Sequence, residues 1–97
     1  IILVDDIIDT GGTILKATNL MIEKGAKSIR AMCTHAVLSG KAYDNIIKSK
    51  LTELVVTDTL PLKKAHPKIK VLSSSSIFAE VIRKVHEQRS ISSHFIF

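Results

Sequence analysis

The sequence predicts an α/β fold. The expected form is an open, mostly parallel sheet with helices on both faces, a three-layer α/β/α arrangement in a single domain over residues 1–97. Three observations carry this. Short apolar, β-branched runs alternate with stretches whose apolar residues recur every three or four positions, the order that a parallel sheet with crossover helices requires. Turn-forming residues separate the runs and are scarce within them: the whole chain has four glycines and two prolines. An apolar content of 45% is enough for a core in a 97-residue chain, which buries roughly 60–70% of its unfolded surface, and it excludes a disordered segment.

Residues 1–4 are apolar and β-branched and read as the last part of a buried strand, with Asp5 and Asp6 at its carboxyl end. Residues 13–24 read as a helix with Ile14, Ala17 and Met21 on one stripe, broadened by Leu15 and Ile22 and stopped by Gly25 in the left-handed region. Residues 28–34 alternate through Ile29, Ala31 and Cys33 as a second strand. Ser39 is placed to cap a short helix over residues 41–48, with Ala42, Ile46 and Ile47 inward. Residues 51–57 form a third strand that ends at Thr57-Asp58-Thr59, and Pro61 prevents its continuation. A basic surface loop over residues 62–68 leads to a short strand at 69–73. The serines Ser73 to Ser76 read as a polar turn with Ser76 as the N-cap of a last helix. In that helix Phe78, Val81, Ile82 and Val85 form a stripe for core packing, and Glu80, Lys84 and Glu87 face out.

The net charge of +5 comes from eleven lysines and three arginines. The lysines are scattered over helix surfaces and turns, and the aromatics Tyr43, Phe78, Phe95 and Phe97 do not interleave with them. The charge therefore reads as solvated surface that favours phosphorylated substrates, and not as a nucleic-acid platform. A lone Cys33 excludes an internal disulfide framework and fits a reducing, cytoplasmic compartment. No apolar run approaches the roughly 18 residues of a membrane span. Cys33 and His35 share a strand face, but no orienting acid is placed with them, so they read as a buried thiol beside a polar histidine. His66, His86 and His94 are spaced too irregularly for a zinc site, and no metal ligands are assigned. Because Ile1 lies inside a strand pattern, the chain is expected to be the C-terminal part of a longer enzyme. The apolar edge or face this exposes is expected to pair with another copy or to aggregate.

The chemistry concentrates in Val4-Asp5-Asp6-Ile7-Ile8-Asp9-Thr10-Gly11-Gly12-Thr13, which packs three carboxylates, two hydroxyls and a glycine pair into ten residues. Gly11 and Gly12 let the backbone turn, and Thr13 opens a helix whose first-turn amides lack internal partners. A helix N-terminus with free donors suits a phosphate. Carboxylates repel phosphate but accept strongly from hydroxyls, so the matching ligand carries a phosphate at one end and vicinal hydroxyls at the other. A sugar phosphate has that form. The Walker loop is excluded because Ile14 and Leu15 follow Thr13. The dinucleotide fingerprint is excluded because no third glycine is in place. The aspartyl-phosphate motif is excluded because the acids fall at 5, 6 and 9.

Asp5-Asp6-Ile7-Ile8-Asp9-Thr10-Gly11-Gly12-Thr13 resembles the ribose-5-phosphate loop of the type I phosphoribosyltransferase fold. Two further stretches, Cys33-Thr34-His35-Ala36-Val37-Leu38-Ser39-Gly40 and Glu53-Leu54-Val55-Val56-Thr57-Asp58-Thr59, narrow the likeness to the ribose-phosphate diphosphokinase family. It continues through Lys68-Ile69-Lys70-Val71-Leu72-Ser73 and Ala79-Glu80-Val81-Ile82-Arg83, and so covers nearly the whole chain. The serine run departs from the small apolar residues and proline usual there.

The resemblance implies transfer of diphosphate from Mg-ATP to the 1-hydroxyl of ribose 5-phosphate, giving 5-phosphoribosyl 1-diphosphate and AMP, by a cytoplasmic homo-oligomer. It implies that Asp5 accepts from the ribose hydroxyls, that Asp6 shares hydroxyl or metal-water contacts, and that Asp9, Thr10, Gly11, Gly12 and Thr13 hold the 5-phosphate. Ser90 and Ser92 match a Ser-x-Ser pair that binds a regulatory phosphate or ADP at a subunit interface. The catalytic lysine and arginine, the Mg2+ ligands and most of the ATP site are expected upstream of Ile1, so these residues alone are expected to be inactive. Two other readings stay open: a salvage phosphoribosyltransferase, and a non-catalytic regulatory homologue.

Overall fold

Four short strands pair side by side in the order in which the chain makes them. The computed structural model describes residues 1–87. In it β1 (Ile2–Ile8), α1 (Gly12–Glu23), β2 (Arg30–Ala36), α2 (Ala42–Lys48), β3 (Glu53–Thr57), β4 (Ile69–Leu72) and α3 (Ser75–His86) follow one another. The sheet is entirely parallel in the order β1-β2-β3-β4. The expected open parallel α/β fold is therefore what the chain forms.

The register decides which residues share a face. Leu3, Ala31, Leu54 and Ile69 align in one row, and Asp5, Cys33, Val56 and Val71 in the next row of that face. Ala31, Cys33, Leu54 and Val56 are buried there with Ile14 of α1 and with Ala42, Tyr43 and Ile46 of α2. Tyr43 closes the rim, its hydroxyl accepting the Lys63 backbone N–H at 2.9 Å. The opposite face carries Val4, Met32, Val55 and Lys70 in one row. Val4 is 78% exposed and Met32 40%. Successive right-handed crossovers between adjacent sequential strands place their helices on the same side. α1 and α2 therefore lie over the same face of the sheet.

Three local expectations change. β1 runs on to Ile8 because Ile7 and Ile8 pair with His35 and Ala36, so Asp5 and Asp6 lie inside a strand and on opposite faces. Neither Ser39 nor Ser76 caps a helix: the cap positions are Lys41 and Ser74, without side-chain cap bonds. The stripe of α3 was expected to be core, yet none of its residues is buried, and Phe78, Ile82 and Val85 are exposed. Gly25, by contrast, ends α1 at φ 96° as expected.

Candidate functional site

Beyond buried Ile8 the chain leaves the sheet through exposed Asp9 and Thr10 and turns at Gly11, φ 81° and ψ 2°, into α1. The Leu15 N–H donates to the Gly11 carbonyl at 2.9 Å, and no side chain caps the helix. The amides of its first turn are therefore available to an anion. A Cβ on Gly11 would meet Ile46 at 3.8 Å and the Ala42 backbone at 3.9 Å, both ordinary contacts. It is the positive φ, and not lack of space, that calls for glycine here.

Asp5, Ile7, Ile8, Asp9, Thr10, Gly11, Thr13 and Ile14 line a hollow of about 220 Å³ over this turn. One wall is acidic, and the other carries the threonine hydroxyls and the helix N-terminus. Asp6 and Gly12 do not line it. Asp6 projects from the opposite face of β1, where its carboxylate accepts the Ile7 N–H at 2.8 Å. Hydrogen bonding with Asp5, then with the Ile7 N–H, holds the Asp6 carboxyl below the usual aspartate range. Asp5 in turn accepts the Asp6 N–H at 2.8 Å.

The loop after β2 is tied to this turn. The Val37 and Leu38 N–H groups both donate to the Ile8 carbonyl at 3.1 Å, and the Ser39 N–H donates to the Asp9 carbonyl at 2.9 Å. The Ser39 hydroxyl donates to Asp9 Oδ1. Ser90 and Ser92 lie outside the described residues.

Sequence reasoning missed a second group of polar contacts at the carboxyl ends of β2, β3 and β4. His35 Nδ1 lies 2.8 Å from Thr59 Oγ1, and the hydroxyls of Thr57 and Thr59 donate to the Thr34 carbonyl at 2.6 and 3.1 Å. Asp58 accepts the Ser74 N–H at 2.9 Å and the Ser74 hydroxyl at 2.6 Å. The signal was the serine run itself, set opposite an acid flanked by two threonines. The two Ser74 bonds hold the Asp58 carboxyl below its usual range. A depressed folded-state pKa gives stability that is present above the unfolded value, near ~4, and is lost as pH falls through the folded one. Urea midpoints measured from pH 7 down to pH 3 are expected to fall less steeply for Asp58→Asn than for the parent chain. Parallel curves would refute the contribution.

Cys33 is buried, and that burial pushes its thiol up, away from the reactive thiolate. Among the described residues no three His, Cys, Asp or Glu side chains converge to hold a metal ion, and no helix is long and apolar enough to cross a membrane.

A four-stranded parallel sheet with crossover helices defines an α/β domain of the open-sheet class. The chain belongs to the phosphoribosyl synthetase-associated domain family, whose model matches residues 1–96. It is 64% identical over 96 residues to a ribose-phosphate pyrophosphokinase of Campylobacter jejuni, covering 99% of this chain and 31% of that protein. It is 53% identical over 95 residues to a ribose-phosphate pyrophosphokinase of Helicobacter hepaticus, covering 98% and 31%. The crystal structure of phosphoribosylpyrophosphate synthetase from Mycobacterium smegmatis superposes with a TM-score of 0.87 at 44% identity, over 90% of this chain and 30% of that one. The chain thus spans about a third of the length of the curated relatives it matches.

Proposed function

We propose that this chain is the sugar-phosphate half of a ribose-phosphate pyrophosphokinase. In this reading the oxygen of the 1-hydroxyl of ribose 5-phosphate attacks the β-phosphorus of ATP. The bond from that phosphorus to the α-phosphate oxygen breaks, AMP leaves, and the hydroxyl proton is lost. The observation that carries the reading is the hollow over the Gly11 turn, with Asp5 on one wall and the α1 N-terminus with Thr10 and Thr13 on the other.

Asp5 accepts from the ribose hydroxyls, and residues 9–13 hold the 5-phosphate through amides and threonine hydroxyls. These groups bind and orient, and positioning of this kind supplies much of the catalysis in phosphoryl transfer. Asp6, on the other face of β1, does not line the hollow, and no ribose contact is assigned to it here. The protein works in the cytoplasm as a homo-oligomer. Its ATP is used with Mg2+, but the described residues offer no converging ligand set, so no step here is assigned to the metal.

The test is calorimetry of the full-length protein with ribose 5-phosphate, together with release of AMP from ATP. Asp5→Asn and Thr13→Val are each expected to weaken binding by about tenfold, the loss of one charge-assisted or hydroxyl hydrogen bond. Unchanged binding in both variants would remove the assigned site. Nucleotide formation from a free base would favour a salvage transferase, and tight binding without AMP release would favour a regulatory homologue. The 97 residues alone are expected to release no AMP.

A further inference from the structure

The loop after β2 contacts the proposed phosphate turn through a side chain that the functional reading leaves unused. Asp9 and the first turn of α1 line the same hollow. Asp9 lies two residues before the Gly11 N-cap, and a carboxylate is a strong acceptor for nearby N–H groups. A carboxylate turned onto them would compete with a phosphate for the donors and repel its charge. Yet no side chain caps α1, and Asp9 Oδ1 instead accepts from the Ser39 hydroxyl.

Ser39 is held in place for this. Its own N–H donates to the Asp9 carbonyl at 2.9 Å, and the N–H groups before it donate to the Ile8 carbonyl. Leu38 adopts φ 49°, a left-handed conformation unfavourable for leucine, and its side chain is only 1% exposed. Burial of Leu38 in the core therefore offsets the strain of the turn that presents Ser39 to Asp9. Asn45 of α2 adds a weaker tie, its Nδ2 lying 3.5 Å from the Thr10 carbonyl.

We infer that Ser39 is a positioning residue which holds the Asp9 carboxylate off the α1 amides and so keeps them open to the phosphate of the substrate. The inference rests on the reading of the hollow given above. It makes Asp9 a residue whose backbone serves the site while its charge must be kept aside.

The experiment is steady-state kinetics and calorimetry on the full-length protein with ribose 5-phosphate and ATP. Ser39→Ala is expected to raise the KM and Kd for ribose 5-phosphate about tenfold, with kcat and the KM for ATP unchanged. Ser39→Thr, which keeps the hydroxyl, is expected to behave as the parent. Adding Asp9→Asn to Ser39→Ala is expected to recover most of the lost affinity, because the competing charge is gone. A purely structural serine would give neither the split between KM and kcat nor that rescue. Parental affinity in Ser39→Ala, or a loss that Asp9→Asn leaves unrepaired, overturns the inference. If Ser39→Ala does not fold, Ser39→Cys, which keeps the size but donates far more weakly, decides: weaker ribose 5-phosphate binding at unchanged kcat supports the inference, and parental binding overturns it. If Asp5→Asn and Thr13→Val weaken binding while Ser39→Ala does not, only this inference falls. If the parent protein binds no ribose 5-phosphate, both readings fall.

Discussion

Gly11→Val is expected to destabilise the chain by about 2 kcal/mol and to remove ribose 5-phosphate binding in the full-length protein. Gly11 turns at φ 81°, where a side chain costs about 1–2 kcal/mol and a β-branched one more. The surrounding atoms leave room for a Cβ, so the loss is one of backbone geometry. The backbone can relieve the strain only by leaving the turn, which moves the first-turn amides of α1 out of the hollow. The neighbouring glycine gives the control. Gly12 opens α1 without a positive φ, and a Cβ there would meet only Thr10 Oγ1, at 3.9 Å. Gly12→Ala is therefore expected to leave stability unchanged or to raise it by a few tenths of a kcal/mol. Urea denaturation and calorimetry of the pair check both signs, and equal destabilisation by the two substitutions would contradict the assignment.

Leu54→Ala is expected to be the costliest single truncation, about 2–5 kcal/mol by urea denaturation. Leu54 is fully buried in the inner strand β3, in the row between Ala31 and Ile69, and belongs to the buried cluster. Against a total of roughly 5–15 kcal/mol for a domain of this kind, that is a large share. Val4→Ala removes a side chain from the open face of the same sheet and is expected to change stability by under about 0.5 kcal/mol. Comparable losses at the two positions would mean that the open face is covered in solution.

The alternation of strands and helices was readable from local pattern because each element carries its own period, and the Gly25 stop was readable because only a residue tolerant of positive φ fits it. The Asp5 to Thr13 stretch was readable because its residue types are rare together. What escaped depends on partners distant in sequence. β1 reaches Ile8 only because His35 and Ala36 are there to pair with it. Ser74 binds Asp58 from across β4 and not its own helix end. The stripe of α3 shows the opposite limit: amphipathic spacing says that a face is suited to burial, and nothing in the spacing says where the cover is.

The strand order has a kinetic consequence. Ile2 pairs with Arg30, Arg30 with Glu53 and Leu54 with Ile69, so every strand meets its partner one crossover later and none waits for a distant segment. The entropy of closing such loops grows only with the logarithm of their length. Folding rates fall as the mean sequence separation of contacts rises, and each parallel pair forms only after its crossover has closed, so the sheet is expected to grow by adding one strand unit after another and to do so slowly for a chain of this size. Stopped-flow refolding is expected to be slowed most by truncations in β2 and β3, the two strands that pair on both sides.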